Sequence, residues 1–193
     1  MEVLIHLIFE LIKISILGSL YATLLIYTLK LISKHKPNSW IDKILIMKRR
    51  IWFIIGFIVS ISLFIFLFSY WGNHELGDSA RIPIGYEKEI LNTNWTKYAN
   101  FNGVKSQEGN AIYTTKFKID DNKLCGNYES DFYDYKNSYF VYNLKLKTLT
   151  EFNNEIEYNN YADKNELPQA NELLSFEDNY GKYWYGWRFW LLA

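Results

Sequence analysis

Ile51-Trp-Phe-Ile-Ile-Gly-Phe-Ile-Val-Ser-Ile-Ser-Leu-Phe-Ile-Phe-Leu-Phe-Ser-Tyr-Trp71 is a run of 21 residues without a charge. At about 1.5 Å per residue, some 20 apolar residues match the ~30 Å hydrocarbon core of a bilayer. The run therefore predicts a membrane-spanning helix. Upstream, Leu11 to Leu29 is a second run, 19 residues long, whose single charge is Lys13. Its n-region, Met1 to His6, carries no Lys or Arg, and no A-x-A site follows, so it reads as a retained span and not a signal peptide.

The stretch between the runs fixes an expected orientation. Lys34, Lys36, Lys43, Lys48, Arg49 and Arg50 face one acid, Asp42. Lys and Arg in short loops beside spans are retained on the cytoplasmic side. Loop 34–50 is thus expected in the cytoplasm, with the N-terminus and everything after residue 72 extracytoplasmic. The net charge of zero hides two halves. Residues 1–72 hold eight basic and three acidic residues, and residues 73–193 hold thirteen and eighteen. An outer domain with net charge −5 argues against nucleic acid, whose affinity comes largely from neutralised phosphates.

Within the first run, Ser15, Gly18, Ser19 and Ala22 recur at helical spacing, and Gly56 and Ser60 do so in the second. Small faces allow close backbone approach in lipid. They predict an antiparallel hairpin, with a homo-oligomer seam as the competing use. Glu10 and Lys13 lie near the outer end of the first helix, Lys13 being about 25 Å from Lys30, and read as an interfacial pair, not a proton relay. Residues 1–9 are expected to project beyond the core or lie along its surface. Pro37 stops the first helix. Ser39 to Asp42 resembles an N-cap opening a short interfacial helix, or the first turns of the second span, with Trp40, Ile41, Ile44 and Leu45 as its apolar stripe.

Residues 73–193 alternate apolar and polar side chains. Ala111–Ile119 and Ser138–Leu146 read as strands, and Ile82–Tyr86 as an edge strand because it contains Pro83. Pro168–Phe176 suggests a short helix. Tyr183–Leu192 reads as a central strand with Tyr183, Tyr185, Trp187 and Phe189 on one face. The fold class expected is an integral membrane protein: a two-helix transmembrane hairpin in residues 1–72, followed by a small, mainly antiparallel β (α+β) extracytoplasmic domain in 73–193. Of 36 aromatic residues, twelve lie in residues 1–72. The others read as strand and core residues in preference to a carbohydrate platform. Cys125, the single cysteine, reads as a buried small apolar side chain.

His74, Glu75, Asp78, Ser79 and Arg81 form the densest cluster of functional groups. His, Glu and Asp are metal-ligand types, and Ser79 with His74 has the composition of a nucleophile and base. The zincin spacing fails because Asp78 stands where the second His belongs, and Gly77-Asp-Ser-Ala-Arg81 is no nucleophile elbow. A polar turn with Arg81 pairing Asp78 is the simpler reading. Asp120-Asp121-Asn122 and Glu129 to Asp134 offer oxygen ligands without EF-hand spacing. Asn94-Trp95-Thr96 matches a glycosylation sequon. No cofactor motif is present, so no cofactor is expected. The sequence thus points to a membrane-anchored, non-enzymatic binding or accessory protein, whose outer domain meets a protein or glycan. A membrane-tethered hydrolase using the 74–81 cluster is the alternative, and an oligomeric channel subunit is the weaker third.

Overall fold

The computed structural model describes residues 2–35, 40–72, 79–94 and 96–192. Among them lie six α-helices and nine strands. In order these are α1 (Glu2–His35), α2 (Trp40–Ile46), α3 (Lys48–Leu67), β1 (Ser79–Gly85), β2 (Lys88–Thr93), β3 (Ala99–Lys105), β4 (Ala111–Thr114) and β5 (Lys116–Asp120). There follow β6 (Lys123–Asn127), β7 (Tyr139–Asn143), β8 (Thr148–Phe152), α4 (Glu155–Lys164), β9 (Leu174–Ser175), α5 (Phe176–Trp184) and α6 (Trp187–Leu191). The chain divides into two compact units, one of residues 1–72 with 187–193 and one of residues 73–186.

In the helical unit, α1 and α3 are long and apolar enough to cross a membrane. They pack through the small residues. A Cβ on Gly18 would overlap Ser60 Oγ and stand 2.9 Å from the Gly56 carbonyl oxygen. Ala22 is fully buried, and a Cβ on Gly56 would touch it at 3.8 Å. Ile14, Leu17, Leu63 and Leu67 extend the contact in one direction, and Trp52 Nε1 donates to Thr23 Oγ1 (2.9 Å) in the other. The two helices are therefore antiparallel. Ser15 and Ser19 are not at the centre of the seam, and their hydroxyls donate to Leu11 O and Ser15 O of their own helix.

The segment expected to project, residues 1–9, continues α1 from Glu2, since no breaker interrupts its Leu- and Ile-rich sequence. Stretch 34–50 is largely helical, because α2 occupies Trp40–Ile46 and α3 opens at Lys48 after a turn at Met47. Asp42 on α2 is joined to Ser33 on α1 by a side-chain hydrogen bond. Ile41 buries its side chain, whereas Trp40 stays exposed. Pro37 and the cap residue Ser39 lie outside the described residues.

The β unit has two antiparallel sheets, in the orders β1-β2-β3-β4 and β8-β7-β6-β5-β9. Period-two alternation makes its layers. Leu124, Phe140 and Tyr142 point with Phe117 into a core shared with Ile82, Ile90, Phe101 and Ile112 of the first sheet, and α5 adds Phe176, Tyr180 and Trp184. Cys125 and Val141, one residue out of phase, face the other side. There Tyr158 and Ala162 of α4 join them, along with Phe152 and Leu173. The central strands β6 and β7 are thus buried on both faces. β1 is an edge strand, as Pro83 requires, with a register irregularity between Pro83 and Gly85.

Three expectations change here. Ala111–Ile119 is not one strand. Thr115 breaks it into β4 and β5, which belong to different sheets. Asn127 fixes the corner: its Oδ1 accepts from the amides of Thr115 (3.2 Å) and Lys116 (2.7 Å), and its Nδ2 donates to Thr115 Oγ1 (2.8 Å). The helix expected in 168–176 is a single 3-10 turn, Ala170–Glu172, followed by β9.

Tyr183–Leu192 is helical, not a strand. Ser175 caps α5 by accepting from the Asp178 amide (3.1 Å), and Phe176, Tyr180 and Trp184 recur every four residues on its buried face. Gly186, at φ +79°, then separates α5 from α6, a backbone geometry that glycine adopts without the penalty of a Cβ.

Candidate functional site

His74, Glu75 and Asp78 lie outside the described residues, as does Trp95 of the sequon. Of the 74–81 cluster, Ser79 opens β1 and is exposed, opposite Thr93 of β2. Arg81 forms a cross-strand ion pair with Glu89 (3.2 Å), and its carbonyl accepts from Trp184 Nε1 (2.8 Å). The described part of the cluster therefore ties β1 to β2 and to α5. Among the described residues no group of three His, Cys, Asp or Glu side chains is gathered for a metal ion. Asp121 sits in the β5–β6 hairpin turn at φ +51°, and Asn94 is exposed at φ +57°.

A different surface collects the unusual chemistry. Loop 128–138 folds back over β4 as a ladder of aromatic rings. Tyr128 stacks on Tyr135 (4.5 Å between centroids), and Tyr113 of β4 stacks on Phe132 at 4.2 Å and 19°. Tyr98 meets Phe132 edge-on at 4.9 Å. Hydrogen bonds hold the loop: Tyr135 donates to Ala111 O, and Glu151 accepts from Tyr128 Oη, from the Gln107 amide (3.1 Å) and from Asn137 Nδ2 (2.8 Å). Burial first, and then the Glu151 carboxylate, keep the Tyr128 phenol protonated far above its usual range.

The outer rung stays open. Phe132 is 46% exposed and Tyr133 39% exposed, although both rings are fixed by neighbours. At one end Lys97 pairs with Asp131 (3.6 Å) and lies 4.6 Å from the centroid of the Tyr98 ring. The Tyr98 hydroxyl donates to Asp131. That bond, with the Lys97 charge behind it, holds the Asp131 carboxyl below its usual value. Lys97 is correspondingly raised, first by its bond to Tyr98.

Beside Lys97 opens a cleft of about 700 Å³ lined by Thr96, Lys97, Thr115, Lys116, Ser175 and Glu177 over the buried Phe176. Its hydroxyls already have partners. Ser175 Oγ pairs with Asp178 Oδ2 (2.7 Å), Thr115 accepts from Asn127, and Thr96 donates toward Thr93 O (3.3 Å). The Ser175 hydroxyl donates to the Asp178 carboxylate and accepts from the Asp178 amide, the pattern of a helix cap.

The single thiol is of the opposite kind. Cys125 is fully buried, and burial pushes it up to about 11, so it packs as a small apolar side chain.

Sequence gave no means of separating Phe132 and Tyr133 from the other aromatics. The available signal was Glu129-Ser-Asp-Phe-Tyr-Asp134, where two rings stand among acids outside any alternating pattern. Comparison with family models, with curated proteins and with solved structures finds no match for this chain.

Proposed function

We propose that this chain is a membrane-anchored binding protein. In this reading α1 and α3 cross the bilayer as a hairpin, the basic stretch 34–50 faces the cytoplasm, and the β unit stands outside as the recognition module. Its contact surface is the aromatic ridge of Tyr98, Tyr113, Phe132 and Tyr133 with the Lys97–Asp131 pair at its end. The ligand is a protein segment or glycan that covers aromatic faces and exchanges hydrogen bonds with the charged end.

One observation carries the membrane part. Only 22% of the apolar window of α1 and 11% of that of α3 are buried. A core helix of a soluble protein covers its apolar surface; these two leave theirs open, which suits lipid as solvent. Cysteines introduced at Lys43 and Lys145 test the orientation in intact cells. A membrane-impermeant maleimide should label Lys145→Cys and spare Lys43→Cys. The reverse pattern would invert the topology, and recovery of the chain in a soluble fraction would overturn the reading.

The ridge is favoured over the cleft as the contact because its rings are pre-ordered and still exposed. Pre-ordered aromatic side chains lose little entropy on binding. Phe132→Ala should weaken capture of the partner by about tenfold or more, the equivalent of about 1.4 kcal/mol. Cross-linking in cells reads a protein partner, and a glycan array reads a carbohydrate. Unchanged capture in the Phe132→Ala and Tyr133→Ala chains would remove the ridge as the contact.

A further inference from the structure

Among the described residues outside α1 and α3, α6 is an exposed segment rich in large apolar side chains, and it belongs to the helical unit. Trp187 is 60% exposed and Trp190 72% exposed, and Phe189 and Leu191 are also open. α6 lies along α1. Lys13 Nζ sits 5.0 Å from the centroid of the Phe189 ring, and the Tyr21 hydroxyl donates to the Leu191 carbonyl (2.7 Å). From Lys13 to Tyr21 is eight residues, or about 12 Å along a helix. The C-terminal segment therefore descends beside the apolar run of α1, starting at its charged end. Between the two helices runs an apolar cleft of about 280 Å³ lined by Phe9, Ile12, Ile16, Leu17, Phe189 and Trp190, with Lys13 at its side.

We infer that α6 is a third membrane element: an aromatic helix sunk into the lipid leaflet at the Lys13 end of α1, with Trp187 and Trp190 among the lipid chains. The inference rests on α1 and α3 spanning the bilayer.

Two features of the helix fit that occupant. A helix end in lipid leaves carbonyls without water, and each must find a donor within the protein. Tyr21 supplies one to Leu191. The composition also fits, since Trp with a flanking basic residue is the side-chain set of the membrane interface. Arg188 lies 4.9 Å from the Trp187 ring centroid, a stacked arrangement that keeps the cation beside its own aromatic surface. The exposed face of α6 is continuous with exposed Phe9, Ile12 and Ile16 of α1, so one solvent covers both.

Nitroxide labels on the full chain in phosphatidylcholine–phosphatidylglycerol vesicles test this. Trp190→Cys is labelled and its collisions with oxygen and with a nickel chelate are compared with two references. Phe57→Cys reports the α3 span and Lys145→Cys the aqueous β unit. The parent chain, with buried Cys125 alone, sets the labelling background.

The expected result is an oxygen-rich, nickel-poor label at position 190, close to that at 57 and far from that at 145. A nickel-accessible label at 190 with a lipid-like label at 57 overturns the inference and leaves the spans standing. Water-like labels at both positions overturn both. A label at 190 shielded from both reagents places α6 against protein and also overturns it. Trp187→Cys repeats the measurement should Trp190→Cys fail to fold.

Discussion

The helical unit and the β unit use the same kinds of residue in opposite ways. The β unit encloses Phe101, Phe117, Phe140 and Ile112 completely and builds a second buried cluster around Tyr158. The helical unit gathers four apolar side chains, Ile14, Leu17, Leu63 and Leu67, into its buried cluster and leaves Phe53, Phe57, Ile58 and Ile65 open. One unit makes its own apolar medium. The other leaves most of its apolar surface uncovered, and its two long helices meet at a close backbone contact at Gly18.

Substituting one aromatic in each unit gives the widest separation. Phe140→Ala should destabilise the β unit by about 3–5 kcal/mol, because it removes a fully buried ring and leaves a cavity. Phe57→Ala, at a site 67% exposed, should change stability by less than about 0.5 kcal/mol. Urea titrations of the full chain in detergent measure both. Equal losses at the two sites would mean that Phe57 is covered by protein.

Alkaline pH should destabilise the β unit. The Cys125 thiol rises from an ordinary 9.0 to about 11, with burial the leading cause. Its folded value lies above the unfolded one, so the folded chain holds the proton over that interval. The contribution is complete below pH 9 and is lost as pH climbs through 11. It amounts to about 2–3 kcal/mol at about 1.4 kcal/mol per pH unit. Tyr128 and Tyr158, both raised chiefly by burial, add loss of the same sign at higher pH. Denaturation midpoints at pH 8 and pH 10.5 should differ, and Cys125→Ala should reduce the difference. A midpoint that rises with pH would contradict the burial of these groups.

Two glycines sharpen the contrast at smaller cost. A Cβ at Gly126 would stand 2.7 Å from the Phe140 ring, so Gly126→Ala should cost about 1–3 kcal/mol by overpacking. Gly18→Leu should weaken the hairpin by about 1–2 kcal/mol, read as a lower midpoint for helix loss in detergent. If the Gly18→Leu chain is as stable as its parent, the small-residue seam is not what holds α1 to α3.

The helical unit was legible in its two long helices because their signal is long, although α1 extends to Glu2 and His35 beyond the apolar run and α3 ends at Leu67 within it. Mainly apolar runs of 19 and 21 residues with a single charge, Lys13, leave few alternatives, and Gly18, Ala22, Gly56 and Ser60 marked the seam at helical spacing. The β unit was legible in kind and not in detail. Pro83 marked an edge strand, but Ala111–Ile119 concealed a change of sheet, because the side chain that turns the chain there, Asn127, comes from the strand after next.

The C-terminal misreading was avoidable. Phe176, Tyr180 and Trp184 repeat at i+4 behind a Ser-x-x-Asp cap, a helical signal that the β propensity of Tyr and Trp obscured. The ridge was out of reach from sequence. The loop carrying Phe132 is pinned where its Tyr128 and Tyr135 bond to Glu151 of β8 and Ala111 of β4, and no local pattern encodes those distant partners.

The order of strands in the second sheet bears on how the β unit assembles. β1 to β4 form a meander, and so do β5 to β8, each strand pairing with its neighbour in sequence. The exception is β9, which pairs Leu174 with Phe117 and Ser175 with Lys116. That one seam closes a loop of more than fifty residues, while the others close connections no longer than loop 128–138, and long loops are entropically slower to close. β9 and the α5 helix it leads into should therefore be the last piece to dock and the first to open. In hydrogen exchange the amides of that seam should lose protection before those between β6 and β7. The β unit would then have a latch: a C-terminal segment whose release exposes the Phe117 edge of the sheet while both meanders stay folded.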